Sequence, residues 1–288
     1  MAPQQDAIME QIIKEYNTIN DSFYFHHTLT SPSGRLDYYG PESHDRFELF
    51  YLIEGEVEYI VQGQHYLVRP GDMIFISPSR IHSLVINGEK NYERIVLVFD
   101  YRVLDEYFSR YPMDLKHLLS GRGHVIQKDI VDRSDIKSVF FSIAENQEED
   151  KYKQLYLVSC TIQLIIALDK LFADKTLDFL KPTSTDFFIE TVTGYIQEHI
   201  TDPMNLDRIA QDLYLSKSTL CHKFKQKMNM TINEYITIKK IYYASDLIHS
   251  GVSATDACQA IGYNYYTTFY YNYKKIIGKA PNETKNKT

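Results

Sequence analysis

The chain has 288 residues, 44% hydrophobic and 24% charged, with only 12 Gly and 9 Pro; this excludes collagen-like and disordered classes and suffices for one large or two ordinary domains. Its formal charge of -7 argues against nucleic acid only if that charge is evenly spread. It is not: residues 1–184 carry 19 Lys and Arg against 28 Asp and Glu, residues 185–288 carry 12 against 10, and residues 213–288 carry 11 against 4. The basic skew of the tail is either a phosphate-facing field or a solvated face, and motifs must separate the two.

At the N-terminus, Met1 to Asn20 carries Asp6, Glu10, Lys14 and Glu15 inside its apolar pattern, so no secretory signal is expected. From Arg35 to Tyr101 the chain reads as short strands: Phe47 to Ile53, Glu56 to Val61, His65 to Val68, Met73 to Ile76, Ser83 to Ile86 and Glu93 to Phe99. Turn residues separate them, at Gly55, Gly63-Gln64, Pro70-Gly71 and Asn87-Gly88, which suits a small antiparallel barrel or jelly roll. Between about Ser134 and Phe172 the pattern turns helical, with Leu155, Val158, Ile162, Ile165, Ile166 and Leu171 as its apolar stripe. The charge-free run Gln154 to Leu168 is shorter than the about 20 apolar residues a bilayer needs, so no membrane span is expected. Cys160, Cys221 and Cys258 lie far apart, which fits reduced thiols in a cytoplasmic protein rather than a disulfide framework or zinc site. Leu180 to Asp186 reads as a linker.

Beyond the linker everything is helical in pattern up to Gly278. Asn205 to Leu213 places apolar residues at helical spacing, Tyr214-Leu215-Ser216 makes a tight connection, and a second helix opens at Ser216 as N-cap with Leu220 and Phe224 inside. That is the pattern of a helix-turn-helix, whose second helix enters the major groove, although ordinary helical hairpins share it. After a long helix from Thr231 to Ser250 the arrangement recurs: Asp256 to Ile261, then Gly262 suited to a left-handed turn, then Tyr263 to Tyr273. Twenty helical residues span about 30 Å, close to the roughly 34 Å between successive major-groove faces, so one chain can offer two reading helices.

Ile209-Ala210, Leu215-Ser216, Leu220, Phe224-Lys225, Tyr235, Ala244, Leu247, Gly262-Tyr263, Phe269, Tyr273-Lys274-Lys275, Gly278 and Pro281 fall in the order and spacing of the AraC/XylS family of transcriptional regulators, which the chain resembles over about residues 187–285. The resemblance implies double-stranded DNA as partner, contacted by Ser216, Lys217, Ser218, Thr219, Cys221, His222, Lys223 and Lys225 of the first unit and by Tyr266, Thr267, Thr268, Tyr270, Tyr271 and Lys274 of the second. His222 stands where the family often has Arg, Asn229 where it often has Gly, and Tyr271 at the Arg position of the second unit. Tyr270 and Tyr271 have two readings, as contacts to bases or phosphates and as packing against the neighbouring helix.

The strand-rich half is similar to the cupin-type sensor barrel of the family's sugar regulators. Two degenerate cupin motifs carry this, Glu42-x-His44-x3-Glu48-x6-Gly55 and Gly71-x5-Ser77-Pro78-Ser79-x2-His82. Positions 42, 44, 46 and 48 share strand parity, so Glu42, His44, Arg46 and Glu48 are expected to face one interior with His82, and with Tyr38 to contact a polar effector such as a sugar. Arg46 on that face would repel a cation, so no metal and no other cofactor is expected. The helical stretch at 134–172 packs on its own barrel or, as the resemblance favours, pairs with a second copy.

The expected fold is α+β: a cupin-like β-barrel at about 25–130 with a helical dimerisation element at about 134–172, together 1–180, then an all-α double helix-turn-helix at 187–288. The expected function is a cytoplasmic, dimeric, ligand-responsive transcription regulator without catalytic residues, an activator, with RNA polymerase as a further partner. The rival is a metal-dependent cupin enzyme carrying a DNA-binding appendage.

Overall fold

The computed structural model describes residues 9–18, 23–31, 38–87, 91–104, 110, 118, 124–145, 150–174, 176–177 and 179–283. They fall into two compact units, Met1–Ser184 and Thr185–Thr288.

Among the described residues there are eleven strands: β1 (Met9–Thr18), β2 (Phe23–Ser31), β3 (Tyr38–Glu42), β4 (Phe47–Glu54), β5 (Val57–Val61), β6 (Gln64–Val68), β7 (Met73–Ile76), β8 (His82–Ile86), β9 (Tyr92–Phe99), β10 (His124–Ile126) and β11 (Ser184–Thr185). They form a six-stranded sheet, β1-β2-β9-β4-β7-β10, and a five-stranded sheet, β11-β6-β5-β8-β3. Of the two expected forms, barrel and jelly roll, the strands take the second kind of arrangement: two antiparallel sheets packed face to face and not closed into one. Phe50, Leu52, Ile74 and Val96 of the first sheet meet Val57, Tyr59, Val68, Leu84 and Ile86 of the second in one buried cluster.

Burial explains why these strands look different in sequence. In β5, β6 and β8 buried and half-buried residues alternate, because one face meets the partner sheet and the other meets water. In β4, β7 and β9 buried residues run consecutively on both faces, over Phe47–Phe50, Met73–Ile76 and, in β9, 94–97, because the far face of that sheet is covered too. The cover is α1 (Lys128–Arg133), α2 (Asp135–Ala144) and α3 (Asp150–Ala173). Ile130, Phe140, Leu157, Leu164 and Leu168 share a buried cluster with Phe47, Leu49, Phe75, Leu97 and Phe99. The Pro70-Gly71 turn forms as expected: Asp72 N–H donates to Arg69 C=O at 2.9 Å, with Gly71 at φ +94°, where a side chain would be strained.

Several expectations are corrected. β1, β2 and β3 escape the sequence reading, which placed the first strand at Phe47 and began the barrel near residue 25. β1 is an edge strand with a register irregularity between Ile12 and Lys14 and with Gln11, Ile12, Ile13 and Glu15 exposed, so no alternating buried face betrays it. The stripe assigned to α3 is also displaced. Leu157, Cys160, Leu164, Ile165, Leu168 and Leu171 are buried, whereas Leu155 is 70% exposed and Ile166 is exposed too. That helix is apolar almost all round and is long and apolar enough to cross a membrane by length and composition, yet its buried face packs on the sheet. The stretch Leu180 to Asp186 holds the boundary between the two units, and its first part is bonded to the sandwich: Leu180 N–H donates to Val125 C=O at 3.3 Å and Thr183 N–H to His65 C=O at 2.8 Å. Arg35, Gly88 and the side chain of Tyr38 lie outside the described residues.

Among its described residues the second unit has six α-helices: α4 (Phe187–Glu198), α5 (Leu206–Asp212), α6 (Lys217–Met228), α7 (Ile232–His249), α8 (Ala254–Ala260) and α9 (Tyr266–Ile277). Side chains cap five of their N-termini: Asp186, Asn205, Ser216, Thr231 in a capping box with Glu234, and Ser253. Asn229 ends α6 in the left-handed region at φ +49°, as an Asn in place of Gly does.

Candidate functional site

The second unit contains the same turn twice. After α5, Leu215 N–H donates to Ala210 C=O at 2.7 Å and Tyr214 N–H to Gln211 C=O at 3.0 Å. After α8, Tyr263 N–H donates to Cys258 C=O at 3.2 Å and Gly262 N–H to Gln259 C=O at 2.9 Å. Each turn has its central residue at positive φ, +56° at Tyr214 and +74° at Gly262. This pair of bonds closes a helix through a left-handed residue and redirects the chain into the next helix. Glycine suits that position; Tyr214 occupies it with its ring 97% exposed, which is why the first turn carries no glycine signal.

Each turn delivers a helix whose inner residues are apolar and whose outer residues are not. In α6, Leu220, Phe224 and Met228 are buried, and Phe224 meets Tyr235 of α7 edge-on at 5.4 Å. Lys217, Ser218, His222, Lys223 and Lys225 are exposed, and Thr219 and Cys221 are half-buried. Ser216 is committed as cap, its Oγ accepting from Thr219 N–H at 3.0 Å. Lys217 donates to Asp207 at 2.9 Å, an exposed pair that holds it only weakly, and Lys223 lies over the Phe188 ring at 5.8 Å.

In α9, Phe269 and Tyr273 are buried, while Tyr266, Thr267, Thr268, Tyr270, Tyr271 and Lys274 are exposed. Tyr270 is 37% and Tyr271 69% exposed, so neither is buried against a neighbouring helix. Tyr265, the N-cap of α9, makes no side-chain cap bond, so the first-turn N–H groups keep their donor capacity for a phosphate.

The two reading units are joined by α7, about 27 Å long at its 18 residues. Lys240, buried in α7, donates to Ile261 C=O in the second turn at 2.7 Å and to Asp202 C=O ahead of α5 at 3.1 Å. Sequence reasoning missed this clasp; a lone lysine in a helical pattern gives no signal of it.

In the first unit, four of the expected effector residues come together. Glu48 on β4 and His82 on β8 point between the sheets, as their parity with Phe50, Leu52, Leu84 and Ile86 requires. His44 Nε2 lies 2.9 Å from Glu48 Oε2, and His82 Nε2 lies 3.4 Å from the same oxygen and 3.5 Å from Glu42 Oε1. Those longer contacts are charge attraction, since His82 Nε2, buried at 2% residue exposure, makes no hydrogen bond. The parity argument for positions 42 to 48 fails in detail, because Ser43–Arg46 is a loop and not strand. Arg46 is half-buried, and its charge helps hold down the Asp45 carboxyl beside it.

The loop is fixed by neighbours. Ser79 N–H donates to His44 C=O at 2.7 Å, and buried Arg102 donates to Asp45 Oδ2 at 2.7 Å and Asp100 Oδ1 at 2.7 Å. Burial would raise the Asp45 carboxyl, but Arg102 and then Arg46 hold it below its usual range. Burial would likewise raise Glu48, yet the positive charge of His82 and the hydrogen bond from His44 hold it well below. For His82 burial acts downward, and the Glu48 and Glu42 carboxylates push it up to about 10.

Two interior groups escaped the sequence reading. Tyr59 donates to Glu48 Oε1 at 2.9 Å and stacks on the His82 ring at 6.1 Å; its inward parity with Val57 and Val61 is the signal that would have found it. Arg94 of β9 is buried between Tyr39 and Tyr92, 5.1 and 4.6 Å from their ring centres, and donates to Thr30 at 3.2 Å.

Comparison with known proteins finds an AraC-like ligand binding domain over residues 25–154 and a helix-turn-helix domain over residues 209–287. Among curated proteins, the HTH-type transcriptional regulator YbfI of Bacillus subtilis is 22% identical over 77% of this chain and 78% of its own length. The lactose operon transcription activator of Staphylococcus xylosus is 21% identical over 86% of this chain and 78% of its own. The HTH-type transcriptional activator RhaR of Escherichia coli is 21% identical over 86% and 87%.

Proposed function

Because the chain belongs to the AraC family of transcriptional regulators, with an AraC-like ligand-binding domain ahead of a helix-turn-helix domain, we propose that it is a cytoplasmic activator that reads an operator with α6 and α9 and answers a polar small molecule, a sugar or a close analogue, held in its sandwich. The observation that carries this reading is the doubled turn, which presents two helices of opposite chemistry from one compact unit. Lys217, Lys223 and Lys225 meet phosphates; Ser218, Cys221 and His222 face base edges, with Ser216 and Thr219 shaping the helix start. Thr267, Thr268, Tyr266, Tyr270 and Tyr271 give hydroxyl and apolar contacts, such as those to thymine methyls, and Lys274 a phosphate contact. No guanidinium stands on that face, so the bidentate arginine contact to guanine is not made from it.

The effector contacts Glu42, His44, Glu48 and His82, with Arg46 and Tyr38 at the approach. The lactose operon activator among the relatives supports a sugar. A second copy of the chain covers the exposed side of α3, where Tyr152, Leu155 and Ile166 are unburied, and the dimer multiplies weak single-site affinity by effective concentration. Activation brings RNA polymerase as a further partner. The rival reading, a cupin enzyme with a DNA-binding appendage, is not favoured by the relatives, which are transcriptional regulators.

The experiment is an electrophoretic shift of the full chain on the promoter region next to its own gene, with and without a panel of sugars. A specific shift that competitor DNA leaves intact, and that a sugar alters, is expected. No preference over competitor DNA refutes the regulator reading; a shift that no sugar alters refutes the sugar.

A further inference from the structure

Among the described residues, four other than glycine sit at positive φ: Gln62 at +52°, Ser79 at +63°, Tyr214 at +56° and Asn229 at +49°. Tyr214 is the one aromatic of the four, and a bulky side chain in the left-handed region is strained. Packing does not offset that strain, because the ring is 97% exposed and its hydroxyl has no hydrogen-bond partner among the described residues. The turn itself does not require a side chain there. Gly262 occupies the matching position in the second copy at φ +74°, with the same pair of backbone bonds around it. A strained residue that packs against nothing in its own chain points to a contact outside the chain.

The position of Tyr214 says what that contact is. It lies two residues ahead of Ser216, the N-cap of α6, and three ahead of the exposed Lys217. A reading helix leads into the major groove with its N-terminal residues, so the turn before it stands at the groove wall, where phosphate and deoxyribose are presented rather than base edges. A phenol hydroxyl donates to a phosphate oxygen in a charge-assisted hydrogen bond, and tyrosine is among the side chains that make such contacts.

We propose that Tyr214 is a DNA contact of the first turn, its hydroxyl donating to a backbone phosphate beside the groove that α6 enters. This rests on the DNA half of the reading above and is independent of the effector half. It gives the first reading unit a backbone contact that the second lacks, since Gly262 has no side chain to make one.

The test titrates the full chain and its Tyr214→Gly and Tyr214→Phe variants onto the promoter duplex next to its own gene and onto an unrelated duplex of equal length. Tyr214→Gly relieves the strain, yet it binds both duplexes about tenfold more weakly than the parent. Tyr214→Phe keeps the ring and the strain, loses only the hydroxyl, and shows the same loss. The hydroxyl is neutral and displaces no counterion, so the salt slope of both variants stays at the parent's value. Affinity within about twofold of the parent in either variant overturns the proposal, and so does a loss confined to the promoter duplex, which is the mark of a base contact. Circular dichroism checks folding, and if Tyr214→Gly does not fold, Tyr214→Phe, which removes one exposed atom, decides. A backbone contact is read on the unrelated duplex as well, and this separates the two readings. A parent without preference for the promoter sinks the regulator and leaves the Tyr214 comparison standing; a parent with that preference, matched by its variants, sinks the Tyr214 contact alone.

Discussion

Replacing Lys240 by Met tests whether the two reading units are clasped together by one ammonium group. Met keeps most of the stem and removes the donor that spans Ile261 C=O at 2.7 Å and Asp202 C=O at 3.1 Å. A hydrogen bond from a charged donor contributes about 1.5–3 kcal/mol, and two are lost here. Against that stands the desolvation of the ammonium, which is substantial because burial lowers the Lys240 pKa, with Asp202 only partly restoring it. The net loss is about 2 kcal/mol, which for a unit of about 100 residues lowers the unfolding midpoint by roughly 10 °C. The sign with pH is fixed as well: the folded pKa is the lower one, so between it and the unfolded value of 10.5 the unfolded chain binds the extra proton and stability rises with pH. Thermal unfolding of both proteins followed by circular dichroism, repeated across that window, reads both effects. A midpoint within about 2 °C of the parent, or an alkaline rise that persists in Lys240→Met, refutes the clasp.

Three further outcomes are expected. Tyr214→Gly removes a side chain from the left-handed region without losing packing, and stabilises the chain by about 1 kcal/mol in urea unfolding; a destabilised variant contradicts the strain argument. Lys217→Ala weakens binding to all DNA sequences alike and flattens the salt slope by about one unit, whereas His222→Ala relaxes preference at particular base pairs by about 1–3 kcal/mol; equal losses on every sequence contradict that division. Arg102→Ala leaves Asp45 and Asp100 facing each other without their cation and destabilises the sandwich by about 3–5 kcal/mol, measured by thermal unfolding; a loss under 1 kcal/mol shows that the ion pairs do not fix the His44 loop.

What could be read from the sequence depended on whether a residue's neighbours were local. The caps Ser216, Asn229 and Gly262 were legible because each acts on its own helix end. The strands from β4 to β9 were legible because they are flanked by turn residues; Glu48 lies between the sheets, the side its parity indicated, and His82 reaches it from β8. β1 was not, because an irregular edge strand owes its place to pairing with β2 rather than to a pattern of its own. The buried face of α3 was not, because apolar residues surround that helix and only the sheet beside it selects which face is covered. The period-2 rule was applied across a loop, 43–46, held by Ser79 at His44 and by Arg102 at Asp45, contacts 35 and 57 positions apart that no local pattern encodes.

The same reasoning explains why the second reading helix looked incomplete in sequence. At Tyr271 the resemblance implies a missing guanidinium, and a buried tyrosine was the natural alternative. The structure leaves Tyr271 exposed beside Thr267, Thr268 and Tyr270, on a helix whose N-terminal groups no side chain caps. On the proposed reading, three lysines on α6 against Lys274 on α9 put the larger share of the salt dependence at the α6 half-site, and the threonine and tyrosine face of α9 puts a thymine dependence at the other. Replacing thymine by uracil, which removes only the methyl group, weakens binding at the second half-site and not at the first; equal effects at both would show that the aromatic face does not read methyls.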